Sequence, residues 1–167
     1  VISFQLHYLA NKPLGFNKSE VISIPIGRGI EGQQALERMR VELSAQPWAK
    51  SVSGSDINLG QGRDNSTSTS RFGFDHEGKE IVTNFLRIDY DYLKTLGIKL
   101  IAGRDFDKSF GTDTNAVLIN KEMALAVGGE DAILGKPLGM DGSPTVIGIV
   151  DNFNFQDLKQ QVGPLTM

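Results

Sequence analysis

The chain has 167 residues, with 17 Lys and Arg against 20 Asp and Glu, 40% hydrophobic residues and no cysteine. This length suits one folded domain or two small lobes, and the net charge of −3 argues against a nucleic-acid partner, because duplex phosphates demand an excess of basic residues. The lack of cysteine excludes disulfides, Cys-ligated metals and thiol nucleophiles. No apolar run reaches the roughly 20 residues of a membrane helix, no signal peptide is visible, and the start at Val1 leads us to expect an excised piece of a longer protein.

The first third of the sequence predicts two helices and two strands. Residues 1–9 carry apolar side chains at helical spacing, and residues 21–26 alternate isoleucine with other residues, as in a half-buried strand. Apolar residues again follow helical spacing over 36–43, in a helix that Pro47 ends. A short strand is expected at 51–53.

A polar connection and a hairpin follow. Residues 54–70 are dense in Gly, Asn, Asp, Ser and Thr, which predicts a long exposed connection and a candidate lobe boundary. Two β-rich runs over 72–88 flank a turn at 76–79 and predict a β-hairpin.

Two short helices carry recognisable end signals. Asp89 is a candidate cap for a helix over 90–96, which Gly97 ends in the left-handed conformation. Asn120 is a candidate N-cap for a helix over 121–127.

Three further strands complete the pattern, over residues 98–102, 116–119 and 146–150. Phe153 and Phe155 follow the last of them, and the alternatives are a partner-binding loop and core residues; two alternating aromatic residues favour the core. Short strands joined by hairpins and short helices predict an α+β fold rather than a doubly wound parallel sheet.

Residues 27–32 spell G-x-G-x-x-G between a predicted strand and a predicted helix, which is the dinucleotide-binding pattern. The context argues against this function, because the preceding strand alternates and contains Pro25, and the nearest acid past the second predicted strand, Asp56, lies in a polar loop. A nucleotide-binding enzyme that uses Gly27–Gly32 is therefore the least favoured alternative.

No other catalytic or metal-binding pattern stands out. Asp105, Asp107 and Asp113 form an oxygen-rich loop, but Phe110 and Ala116 occupy the two positions that define a calcium-binding EF-hand, so we expect a solvated loop with Arg104 as an ion-pair partner. The two histidines lie in unsuitable places for a catalytic triad. We expect no enzyme activity, no cofactor and no metal.

Several blocks of the sequence resemble, in order, those of the MacB-like periplasmic core domain, found in ABC-transporter permeases of the FtsX/MacB type. The longest is DYDYLKTLGIKLIAGRDF at residues 89–106. Weaker blocks lie at residues 14–18, 117–124, 134–138, 146–155 and 163–165. The motif positions that carry the resemblance, taken as structural, are Gly97, Gly103, Arg104, Asp105, Phe106, Asn120, Gly135, Gly148, Asp151, Phe153 and Pro164.

This resemblance implies two lobes. Residues 1–20 would follow a membrane helix of the parent protein, and residues 21–55 would form the first part of a porter-like α/β lobe. Residues 56–145 would form an inserted, sabre-like α+β lobe, and residues 146–167 the return strand and the start of the second porter part, which stays incomplete here.

The resemblance also implies a function. It predicts a non-catalytic periplasmic domain of an inner-membrane ABC transporter permease, which couples the motion driven by a cytoplasmic ATPase subunit to substrate export or to a periplasmic protein partner. The alternative from another class is a periplasmic module that senses a small ligand or peptide.

Overall fold

The computed structural model describes residues 13–26, 31–57, 59, 69–158 and 160–167. The helix predicted at 1–9 lies outside the described residues, as does most of the glycine motif, Gly27–Ile30.

The elements are short, and strands predominate after the first helix. In chain order they are α1 (Gly32–Ser44), β1 (Ser70–His76), β2 (Lys79–Phe85), α2 (Tyr92–Leu96), β3 (Leu100–Gly103), a 3-10 helix (Gly111–Asn115), β4 (Ala116–Asn120), α3 (Lys121–Ala126), α4 (Glu130–Ile133), β5 (Thr145–Val150) and β6 (Leu165–Thr166).

The six strands found among the described residues form one mixed sheet in the order β1-β2-β6-β4-β5-β3. β5 runs parallel to β4 and antiparallel to β3, and β2 runs parallel to β6. The predicted α+β class is confirmed.

The short strand β6 holds the two halves of the sheet together. On one side the amide of Leu86 donates to Thr166 O over 3.0 Å. On the other side Leu118 and Met167 exchange backbone hydrogen bonds of 2.9 and 2.8 Å. The strands β2 and β4 are not neighbours, so their connection in the sheet passes through β6.

The predicted hairpin is confirmed. β1 and β2 pair antiparallel, with His76 opposite Lys79. Glu77 and Gly78 have φ of 54° and 80°, the left-handed values of a two-residue type I′ turn, and the Asp75 carboxylate accepts the Gly78 amide over 2.9 Å.

Two apolar clusters form the core. One packs α3 and α4 against the sheet around Ile119, Met123 and Ile133. The other packs α2 against the sheet around Leu93, Phe153 and Leu165. Phe153 and Phe155 are buried, with ring centroids 5.9 Å apart, so their interpretation as core residues is confirmed.

The predicted helix ends are confirmed, with one correction. Asn120 Oδ1 accepts the Met123 amide over 3.0 Å as the N-cap of α3, and Gly97 ends α2 with φ of 64°. The helix α2 begins at Tyr92, two residues later than predicted, so its N-cap position is Asp91 rather than Asp89, and the Asp91 side chain makes no capping hydrogen bond. Asp89 Oδ1 instead accepts a hydrogen bond from the Tyr90 amide over 2.6 Å.

Two predicted strands are wrong. Residues 21–26 belong to no strand in the described residues, and Ile22 and Ile24 are 79% and 58% exposed. Residues 51–53 are irregular as well, and near them Ser55 makes an isolated antiparallel bridge with Ile88. Alternating side chains favour an extended backbone, but a strand also needs a neighbour to receive its hydrogen bonds.

The division into lobes stays a prediction. Its boundary at residue 145 falls at the first residue of β5, which pairs with strands on both sides that precede the boundary in the chain. Within the part of the chain that the structure describes, no helix has the length and apolarity to cross a membrane.

Candidate functional site

Most of the predicted motif residues lie at the ends of β3, β4 and β5. Gly103, Arg104, Asp105 and Phe106 follow one another where β3 ends. Asn120 ends β4, and Asp151 comes directly after β5. The structure therefore brings these motifs to three strands that are neighbours in the sheet.

Gly103 and Gly148 lie opposite each other in the antiparallel pairing of β3 and β5. A Cβ on Gly148 would overlap the Arg104 carbonyl oxygen, and a Cβ on Gly103 would overlap that of Ile147. Gly103 also has a φ of 74°, a backbone conformation that residues other than glycine rarely adopt. Both glycines are required by this close approach of two backbones.

Arg104 organises the loop that follows β3. Its guanidinium makes a bidentate pair with Asp113, with N–O distances of 2.8 and 2.6 Å, and lies 4.3 Å from the centre of the Phe110 ring. The same carboxylate accepts the Asp107 amide over 2.9 Å. The predicted ion pair of Arg104 with a loop acid is confirmed, and its partner is Asp113.

The loop carboxylates have different electrostatic environments. Hydrogen bonding from Arg104 lowers the pKa of Asp113, whose side chain is only 1% exposed. The backbone hydrogen bond from Ser109 lowers the pKa of Asp107. Burial raises the pKa of Asp105, in spite of the hydrogen bond from the Phe106 amide. The carboxylates of Asp113 and Asp107 already accept hydrogen bonds from groups of their own loop. We therefore interpret these carboxylates as groups that stabilise the conformation of the loop rather than as ligand-binding groups.

The described residues contain no group of three or more acidic or histidine side chains placed to hold a metal ion. Phe106 is half-buried against the cluster that contains Phe153. The side chains of this loop thus serve its conformation and its contact with the core.

Asn120 connects β4, α3 and the C-terminal segment. Its side chain is fully buried, and Oδ1 accepts the amides of Met123 and Leu165 over 3.0 and 2.9 Å. Its Nδ2 donates to Gly163 O over 2.9 Å. The adjacent Pro164 carbonyl accepts both the amide and the Nδ2 of Asn84, over 2.9 and 3.0 Å. These bonds fix the short strand β6 between β4 and β2.

The segment after β5 contacts both α3 and the start of the described chain. The Asp151 amide donates to Lys99 O over 2.8 Å, and its exposed carboxylate accepts the Asn152 amide. Asn152 and Glu122 exchange side-chain and backbone hydrogen bonds of 2.9 and 3.3 Å. The same segment is therefore hydrogen-bonded to the residue before β3 and to α3.

Residues 13–17 lie against this segment. The Asn154 amide donates to Leu14 O over 2.7 Å, and the Asn17 amide donates to Leu96 O, at the end of α2, over 2.7 Å. Gly15 has φ of 79°, and a Cβ there would lie 2.6 Å from Asn152 O. Residues 13–17 are thus fixed to the segment after β5 and to the end of α2.

The two remaining motif glycines shape turns. Gly97 ends α2, where Ile98 packs back and its amide donates to Leu93 O over 2.9 Å. Gly135, with φ of 77°, donates its amide to Val146 O over 2.8 Å at the start of β5.

Reasoning from the sequence missed several residues of this region. Nothing local marked Asn84 or Asn152, since each acts through atoms far away in the chain. Asp113 was recognised only as a loop acid, and the bidentate pair that it forms depends on the fold.

A shallow depression lies beside the C-terminal segment, lined by Asn154, Phe155, Gln156, Asp157, Gln160, Gln161 and Val162. It is open to solvent and encloses no space large enough for a water molecule. Pockets for small molecules usually measure about 300 to 1,000 Å³. The depression therefore gives no support to a ligand-sensing site.

A scan of protein-family models finds no match, and a search of curated proteins finds none either. Solved structures do match. The periplasmic region of MacB from Actinobacillus actinomycetemcomitans aligns with a TM-score of 0.51 and 19% identity, over 78% of this chain and 62% of that one. The chain thus spans less than two thirds of that MacB structure.

Two other solved structures align over shorter stretches. The extracellular domain of the noncanonic ABC-type transporter YknZ from Gram-positive bacteria gives a TM-score of 0.45 and 18% identity, over 60% of this chain and 50% of that one. A domain of a protein described as a permease, from Porphyromonas gingivalis, gives 0.44 and 25%, over 59% and 46%. The alignment with MacB shows the fold, and the chain has that of a MacB-like periplasmic domain.

Proposed function

We propose that this chain is a non-catalytic extracytoplasmic domain of an ABC-type permease, anchored in the inner membrane by the parent protein. The observation that carries the proposal is the fold shared with the periplasmic region of MacB. The sequence motifs support it, because those at the strand ends serve close backbone packing and loop conformation rather than chemistry.

In this proposal the domain transmits motion that a cytoplasmic ATPase partner drives. The resemblance places residues 14–18 just after the first membrane helix of the parent protein. Their hydrogen bonds to Asn154 and to the Leu96 carbonyl support a firm mechanical connection between that helix and the core of the domain. The moving domain would then act on an exported substrate or on a periplasmic protein.

The location can be tested by cysteine labelling, since the chain contains no cysteine of its own. In a parent permease freed of other cysteines, we expect Lys94→Cys, at an exposed position of α2, to react with a membrane-impermeant maleimide in intact cells. Val146→Cys is the matched control, because that side chain is fully buried and should react only after denaturation. Labelling of Lys94→Cys only after lysis would contradict a periplasmic location.

The coupling can be tested by hydrogen exchange in the parent permease with its ATPase, with and without ATP turnover. We expect ATP to change the exchange of the Asn17 and Asn154 amides. Gly15→Val should abolish this change while ATP hydrolysis continues, because the new side chain collides with Asn152 and Phe153. Gly78→Val is the control, since Gly78 has a similar φ of 80° and a Cβ there would have no other atom within 4 Å. Exchange that is insensitive to ATP in the unaltered protein would argue against coupling.

A further inference from the structure

Asp141 and Gly142 occupy the two central positions of an exposed β-turn that precedes β5. The Ser143 amide donates to Met140 O over 2.8 Å and closes the turn, and Gly142 has a φ of 79°. The sequence contains the pair Asp-Gly here and nowhere else. The positive φ accounts for the glycine, whereas the fold gives no reason for the acid.

The Asp141 carboxylate makes no hydrogen bond or ion pair with any other residue that the structure describes. Other acids in loops and turns are occupied. The Asp75 carboxylate accepts the Gly78 amide, and Asp113 pairs with Arg104. The carboxyl group of Asp141 is therefore free to approach its own main chain.

The backbone nitrogen that follows Asp141 is accessible as well. Within the described part of the chain the Gly142 amide donates to no acceptor, and glycine has no Cβ to shield its nitrogen. Asp131 shows the opposite case, because it is also exposed but the next amide, that of Ala132, donates to Gly129 O over 3.2 Å. A free carboxyl group beside an accessible nitrogen favours ring closure, since the two reacting groups are held next to each other in one chain.

We propose that Asp141 is a site of spontaneous covalent modification, at which the folded chain converts aspartate to isoaspartate through a cyclic imide. The Gly142 nitrogen attacks Cγ of Asp141, a C–N bond forms, and the carboxyl hydroxyl leaves with the amide proton as water. Water then adds to the main-chain carbonyl carbon of Asp141 and breaks its bond to the same nitrogen, so that the chain now runs through Cγ. Water is the sole co-reactant, and no group is oxidised or reduced. This inference does not depend on the proposed function.

The modification would alter a loop that is held at several points. Leu138 is fully buried, and its amide donates to Pro144 O over 2.8 Å. Asn115 Nδ2 donates to Gly142 O over 3.1 Å. Isoaspartate lengthens the main chain inside the turn by a carbon atom, which disrupts the hydrogen bond of the Ser143 amide. We expect the amides of Leu138 and Ser143 to exchange faster after conversion.

Peptide mapping by mass spectrometry tests the proposal. Isoaspartate has the same mass as aspartate, but its peptide elutes separately and gives different fragments in electron-transfer dissociation. During prolonged incubation of the folded chain at neutral pH, we expect isoaspartate to accumulate at residue 141 and not at Asp131, the internal control. Asp141→Glu is the matched variant, because it keeps the charge but would have to close a larger ring, and it should remain unconverted.

A sample of the chain in denaturant, incubated in parallel, measures what the folded turn contributes. Conversion at residue 141 in the unfolded chain but not in the folded one would overturn the proposal, because the turn would then prevent ring closure. Absence of conversion in both samples, or equal conversion of Asp131 and Asp141 in the folded chain, would overturn it too. Hydrogen exchange of the aged chain, compared with equally aged Asp141→Glu, tests the effect on the loop. Unchanged exchange of the Leu138 and Ser143 amides would contradict that effect.

Discussion

Replacing Asn120 by alanine tests whether this side chain holds β6 in the sheet. The residue is completely buried, and its amide group makes three hydrogen bonds, to the amides of Met123 and Leu165 and to the carbonyl of Gly163. Asn120→Ala removes all three bonds and leaves three backbone groups to find other partners.

The magnitude follows from these groups. A buried donor left without a partner costs about 1 to 3 kcal/mol, which applies fully to the Leu165 amide and in smaller measure to the half-buried Gly163 carbonyl. The loss of the N-cap of α3 adds about 1 kcal/mol. We therefore expect Asn120→Ala to lower the free energy of unfolding by about 3 to 5 kcal/mol, a large part of the roughly 5 to 15 kcal/mol typical of a domain.

Urea denaturation monitored by circular dichroism measures this loss as a lower midpoint at an unchanged slope. Asn120→Ser should recover about 1 kcal/mol, because serine can cap α3 but cannot reach the C-terminal segment. Asn115→Ala is the matched control, since the exposed Asn115 side chain makes a single bond, to Gly142 O, and should cost less than about 1 kcal/mol. A loss for Asn120→Ala no greater than that of this control would refute the reasoning.

Three other predictions concern Gly148, the ion pair of Arg104 with Asp113, and Gly15. Gly148→Ala should destabilise the fold by about 2 kcal/mol or more in a thermal melt, because the new Cβ would overlap Arg104 O. Gly111→Ala is the control and should change stability little, since a Cβ at Gly111 would lie in open space. Equal effects of the two substitutions would contradict the close approach of the β3 and β5 backbones. Arg104 lowers the pKa of Asp113 in the folded state, so their pair stabilises the fold above the ordinary value of 3.8 and this contribution is lost as the pH falls through the lowered value. The stability deficit of Asp113→Asn should accordingly be full at pH 7, at about 2 kcal/mol, and shrink below about pH 4; a deficit independent of pH would count against the pair. In the isolated chain, Gly15→Val should speed hydrogen exchange of the Asn17 and Asn154 amides and have little effect on the amides of β4. An equal increase in exchange for β4 would show that residues 13–17 do not open independently of the sheet.

Local signals predicted the parts of the fold that local physics decides. The cap at Asn120 and the left-handed helix end at Gly97 depend on backbone groups within a few residues, and both are confirmed. The hairpin was predictable for the same reason, because its turn and its pairing lie next to each other in the chain.

The remaining parts depend on contacts between distant residues. β6 has only two residues, Leu165 and Thr166, too few for any periodic pattern, and it is a strand because β2 and β4 receive it on both sides. Residues 21–26 show the reverse case, an alternating pattern that joins no strand among the described residues. In the loop after β3, the bidentate contact between Arg104 and Asp113 arises only when the 3-10 helix is in place.

The position of β6 has a consequence for the order of events during synthesis. The ribosome makes the hairpin β1-β2 and the strands β3, β4 and β5 before residues 165 and 166, yet β6 is the strand that lies between β2 and β4. Until those residues emerge, β2 and β4 lack the neighbour that joins them, so the two halves of the sheet cannot be connected. Assembly of the complete sheet therefore has to wait for β6, the last of its strands to be synthesised, and exposed strand edges are prone to wrong pairing in that interval.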